Sequence, residues 1–161
     1  RSVRDLVRSS DMRIALWLHL LAVVVWVGGM FFAHVALRPA VAALPPEVRL
    51  PLVGATLGTF FGWVAACVGV VVVTGFLMII AMGGFARVGL YVHLMTALGL
   101  VMTAIFGFIV AVPFGRLRTC LGAADWAGAG AAMTQIRRLV GINLMLGLVT
   151  LTVAVLGHGF A

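Results

Sequence analysis

The sequence predicts an all-α integral membrane protein folded as a four-transmembrane-helix bundle. Two observations carry that prediction. Hydrophobic residues make up 64% of the 161 positions and charged residues only 9%, with a mean hydropathy of +1.25; an ordinary soluble domain has about 25% charged residues. The apolar residues also gather into four stretches, each near or above the roughly 20 residues that cross the hydrocarbon core as a helix.

The first span is expected over 14–37. Ser9, Ser10 and Asp11 precede it with helix-start chemistry, Arg1, Arg4, Arg8 and Arg13 form a wet basic flank, and Pro39 is expected to stop it. The run is too long for a removable signal sequence, so it is expected to remain as a span. Arg1 stands where Met would open a chain, so residues are expected before it. Pro45-Pro46 and the only glutamate, Glu47, mark a loop. The second span is expected over about 57–82, starting at Val53 or Leu57 and closed by Gly83-Gly84, and the third over 88–112, closed by Pro113. Residues 114–138 read as a polar loop and helix extension, with Asp125 as N-cap, leading into a fourth span over 139–157. A single helix from Trp126 to Gly157 is longer than the membrane is thick, so its first turns must project from it. All of residues 1–161 are expected to form one membrane domain, because no polar stretch is long enough for a second core.

Gly54, Gly58 and Gly62 recur every fourth residue in the second span, as do Gly99, Thr103 and Gly107 in the third. Both stripes are expected to let helix backbones approach closely. The basic excess, +7, is entirely arginine and flanks apolar segments. That placement suits lipid headgroups and excludes nucleic acid as a partner. Five arginines on the N-terminal side against six on the other leave orientation open on charge alone; dominance of the first helix favours a cytoplasmic N-terminus. Cys67 and Cys120 have no metal-ligand spacing and read as free thiols.

Ionisable side chains inside spans are costly, and the default reading of such a residue is functional. Spans one and three run in the same direction, so His19 and His93, each several residues into its span, share one level. His158 closes span four on the same side. His34, fifteen residues beyond His19, lies roughly 22 Å away near the other face. His19, Ala22, Trp26, Gly29 and Ala33 share one helical stripe; His93, Ala97, Leu100, Ala104 and Gly107 share another. If the stripes face each other, their small residues leave room for a flat ligand. Haem b suits that space, with His19 and His93 as axial ligands, Trp26 and Gly29 lining it, and Arg13 and Arg87 meeting the propionates. The competing reading makes each histidine an interfacial residue or a helix-contact residue. His34 and Arg38 form an i, i+4 pair suited to a headgroup, a quinone or a porphyrin carboxylate, or to plain interfacial anchoring.

Copper is the alternative ligand. Met78 and Met82 lie one turn apart at the level of His19, His93 and Met95, with His158 as a further donor, and soft thioethers and imidazoles suit Cu(I). The competing reading treats the methionines as packing residues. No nucleophile elbow, phosphate loop or paired carboxylates are present, which leaves a membrane oxidoreductase as the one enzyme class in view.

Leu18-His19-Leu20-Leu21-Ala22 with Trp26-Val27-Gly28-Gly29-Met30, then Leu37-Arg38-Pro39-Ala40, Gly75-Phe76, Tyr91-Val92-His93-Leu94-Met95 and Arg137-Arg138-Leu139-Val140-Gly141-Ile142-Asn143, resembles the bacterial CopD family of membrane proteins. The resemblance covers nearly the whole chain. It implies a multi-pass protein of the bacterial inner membrane linked to copper uptake or resistance. A related four-span group, the HemJ-type protoporphyrinogen oxidases, is associated with b-type haem, and its histidines correspond to His19 and His93. The segment Leu37–Ala40 departs from the Pro-Arg-Leu-Phe-like run of that group, so porphyrinogen oxidation is not carried over. The leading expectation is electron transfer with a quinol or porphyrin-like partner, in an architecture compatible with homo-oligomers; the alternative is copper transport or resistance.

Overall fold

The structure, a computed structural model, describes the backbone of residues 3–157 and the side chains of residues 10–157. His158 lies outside the described residues. Every regular element described is helical. Four helical rods are long and apolar enough to cross a membrane: span one (Ser10–Ala40), span two (Pro46–Ala81), span three (Leu90–Gly122) and span four (Trp126–Gly157). Large apolar side chains such as Val24, Ile80, Leu90 and Val155 are more than 60% exposed. A surface so rich in exposed apolar groups fits hydrocarbon as its solvent.

The helices outrun their expected ends at three places. Span one does not stop before Pro39: its α-helix Val3–Phe31 opens into a π-helical segment, Phe32–Leu37, and then takes one more turn, Arg38–Ala40. Proline lacks an N–H and its ring crowds the carbonyl one turn back, and a widened π turn is one way a helix accommodates such a break. Pro113 is treated the same way. The helix Leu90–Ile109 passes through a π segment, Val110–Phe114, and continues as Gly115–Gly122. Span two begins at Pro46, well before Val53. Pro45 is extended at ψ 152°, and Pro46 occupies the first helical position, where a missing N–H costs nothing. Within 114–138 the helix extension from Trp126 is present as expected, and the stretch before it is helical over Gly115–Gly122 where a loop was expected.

Two chain reversals share one device. After span two, Gly84 N–H donates to Ile79 O and Gly83 N–H to Ile80 O, with positive φ at both glycines. This is a Schellman cap. After span three, Asp125 N–H donates to Cys120 O and Ala124 N–H to Leu121 O, but here a non-glycine residue, Ala124, takes φ 51°. Asp125 then caps span four as expected: its Oδ1 accepts from Gly128 N–H at 2.9 Å.

Span one packs most extensively on span two and span three on span four, while span four also touches spans one and two. The shared core brings together Trp26, Val27 and Met30 with Phe61 and Val64, Met102 and Phe106, and Val140 and Leu144. Phe61 lies edge-on to both Phe106 and Phe114, and Trp26 edge-on to Phe106. The Gly54 stripe packs as expected in part. Gly54 receives Leu121 and Leu117, and Gly58 receives Phe114, whereas Gly62 faces open space. The Gly99–Thr103–Gly107 stripe corrects the expectation: nothing lies within 4 Å of a side chain added at Gly99 or Gly107. Span three turns Met102, Phe106 and Ile109 inward instead, because these larger groups bury more area per turn.

Two outcomes test this packing. Ala124→Gly should raise stability by about 1 kcal/mol, since a left-handed residue with a Cβ is disfavoured by roughly that amount; a higher thermal midpoint in detergent is the readout. Gly29→Val should destabilise by about 1–3 kcal/mol through overpacking, because a side chain there collides with the Phe60 ring; an unchanged midpoint would contradict that contact.

Candidate functional site

The membrane threonines mostly return their hydroxyl protons to their own helix, as Thr96, Thr103 and Thr150 do to carbonyls one turn back. Thr74 does this and more. Its Oγ1 donates to Val70 O at 2.6 Å and lies 2.9 Å from His19 Nδ1. A hydroxyl has one proton. With that proton committed to Val70, Thr74 accepts from His19, so the His19 Nδ1 carries hydrogen and its Nε2 keeps a lone pair. Gly75 lies under the same ring, where a side chain would meet His19 Cε1 at 3.4 Å, an ordinary van der Waals distance.

His93 reaches the same tautomer differently. Its Nδ1 lies 3.2 Å from Gly89 O on its own helix. A carbonyl only accepts, so Nδ1 donates and Nε2 again keeps its lone pair. The His93 ring lies 5.6 Å from Phe85, which in turn meets Phe76. His93 is exposed, and so are Ala97, Leu100, Ala104 and Gly107. The expectation that this stripe faces span one is therefore corrected: it forms the outer face of span three. The physical reason is the competing inward face of Met102, Phe106 and Ile109.

The other residues of the expected cofactor space have packing partners. Trp26 is 3% exposed within the aromatic core, and the position above Gly29 is taken by Phe60 of span two. Arg13 is exposed beside Ser10, Ile14 and Trp17. Arg87, in a 3₁₀ turn between spans two and three, lays its aliphatic stem over Gly83. Among the described residues no group of three or more His, Cys, Asp or Glu side chains is placed to hold a metal ion.

The contacts of Phe60 with Gly29 and of His19 with Thr74 set the antiparallel register of spans one and two. Met78 follows Thr74 by one turn on the same face, and Met82 follows by two. Met78 is half-buried and Met82 exposed. The same register places Met12, two turns before His19 and half-buried, level with the segment from Met78 to Met82. Met12 and Thr74 were not visible as site residues in the sequence. The heptad spacing of Met12 and His19 was the one available signal, but it has meaning only once the partner helix is known.

At the opposite end, His34 falls in the π segment of span one and seats against Gly141 of span four, where an added side chain would lie 3.1 Å from its Cε1. His34 and Arg38 line a cavity of about 40 Å³ together with Arg137 of span four. Deeper in the bundle Asn143 is 1% exposed. Its Nδ2 donates to Met30 Sδ at 3.8 Å, and its Oδ1 is unpartnered.

Comparison with known proteins adds a family to this geometry. The family model described as copper resistance protein D matches residues 54–156. No curated protein and no solved structure is a match. The matched region runs from the start of span two to the end of span four, well over half of the chain, and the protein belongs to the CopD family of copper-resistance-type membrane proteins.

Proposed function

We propose that this protein binds Cu(I) inside the bilayer and serves copper transport or resistance, with the ion held at the seam of spans one and two. The ligands are His19 Nε2 and the Met78 thioether, with Met82 and Met12 as further donors and His93 Nε2 as an outer donor on the same side of the membrane. The observation that carries this reading is the Thr74 hydrogen bond, which commits His19 Nδ1 as a donor and leaves Nε2 to ligate. A metal-binding histidine commonly donates its second nitrogen to a fixed acceptor in this way. Imidazole and thioether together favour Cu(I) over harder ions. The chain has no lysine, and the carboxylates within the spans, Asp11 and Glu47, are exposed in the first turns of spans one and two. A helical multi-pass architecture also favours the bacterial inner membrane, since outer-membrane spans are built as barrels.

Haem b ligation by His19 and His93, with quinol or porphyrin chemistry, is the rival outcome of the same experiment. Purified protein under reducing conditions should bind Cu(I) against a chromophoric chelator and show no Soret band after incubation with haem. His19→Ala and Met78→Leu should each weaken copper binding by about tenfold or more, and Thr74→Val, which leaves the ligands in place, by about 10–100-fold. His34→Ala should leave it unchanged. Wild-type protein that competes for no copper, or takes up stoichiometric haem lost in His19→Ala, would overturn the proposal.

A further inference from the structure

The far end of the bundle gathers positive charge around one cavity. His34 and Arg38 come from the end of span one and Arg137 from span four, and all three line one cavity whose remaining walls are apolar. Arg49, from the first turns of span two, stands close enough that its charge and that of Arg38 both act on Arg137. Arg49 Nη1 donates to Ala42 O at 3.1 Å, while its Nε is buried with no hydrogen-bond partner. No carboxylate lines the cavity, and Glu47 is exposed in the first turn of span two.

We propose that the pocket lined by His34, Arg38 and Arg137, with the charge of Arg49 nearby, binds a phosphate oxyanion. Guanidinium groups stay protonated at any physiological pH, so three of them brought together repel unless an anion joins them. A carboxylate offers two oxygens and one charge. A phosphate offers more acceptor oxygens and suits several planar donor forks arriving from different helices. The widened π segment helps by re-aiming His34 toward span four, and π bulges in helices often accompany functional positions. Both a phospholipid headgroup at the membrane interface and a soluble phosphate present this chemistry. The inference does not depend on copper binding, which involves the opposite end of span one.

The test uses the intact chain in detergent with two probes, phosphatidylglycerol and inorganic phosphate. Retained lipid is read by native mass spectrometry and the thermal midpoint by unfolding. Phosphatidylglycerol retention that falls about tenfold in Arg137→Gln and in Arg38→Gln identifies a lipid headgroup site. A midpoint raised by inorganic phosphate and insensitive to it in the same variants identifies a soluble phosphate. His34→Gln serves where an arginine variant fails to fold. Exposed Arg118→Gln should leave either effect intact, and copper binding should survive in every variant of the pocket. Neither probe binding, or Arg118→Gln weakening the effect as much as Arg137→Gln does, would overturn the proposal.

Discussion

The close approach of spans one and two is the constraint on which the rest of the bundle depends. It is set at two heights: Phe60 lies over Gly29 near the middle, and His19 rests on Thr74 and Gly75 about three to four turns away. In hydrocarbon no hydrophobic drive pulls helices together, so such complementary fits and the hydrogen bonds between them supply the packing energy. Once that seam is formed, Trp26 is committed to the core, Phe61 is aimed at Phe106 and Phe114, and span four closes over both. The same seam determines the ring orientation of His19. Structure and ligand chemistry are thus joined in one contact.

Two ends of one helix carry different chemistry. Near its start span one places an imidazole and a thioether among apolar side chains, a neutral and soft set of donors. Near its end it places His34 and Arg38 beside Arg137, a cationic and hard set. The separation is roughly 22 Å along the helix, which keeps the charges of Arg38 and Arg137 away from a bound cation. The two proposed sites can therefore be altered independently, and neither needs a carboxylate.

Both prolines that sit near span ends act as reshaping elements rather than stops. Pro39 and Pro113 each accompany a π segment, and the helix resumes beyond it. The first widening carries His34 toward Gly141. The second carries Phe114 toward Gly58 and Phe61, and delivers Leu117 and Leu121 onto Gly54. A break in hydrogen bonding is tolerated there because neighbouring helices cover the altered turn.

The four spans, the glycine cap after Met82 and the Asp125 cap were all legible in the sequence, because helix length, hydropathy and terminal chemistry are local properties written in consecutive residues. Spacing also predicts one level for His19 and His93. It could not say which way each helix is turned. His93, Ala97 and Leu100 share a stripe as convincingly as Met102, Phe106 and Ile109 do, and only packing against span four decided that the second set goes inside. Thr74 as the partner of His19, Met12 at the level of Met78, and Arg137 beside Arg38 are meetings between residues 50 or more positions apart in sequence, or, for Met12, 66. Chain-local patterns determine which segments become helices and where they end. The rotation and register of those helices arise from side chains fitting across the gaps between them, so the sites, which consist of such meetings, exist only in the folded bundle.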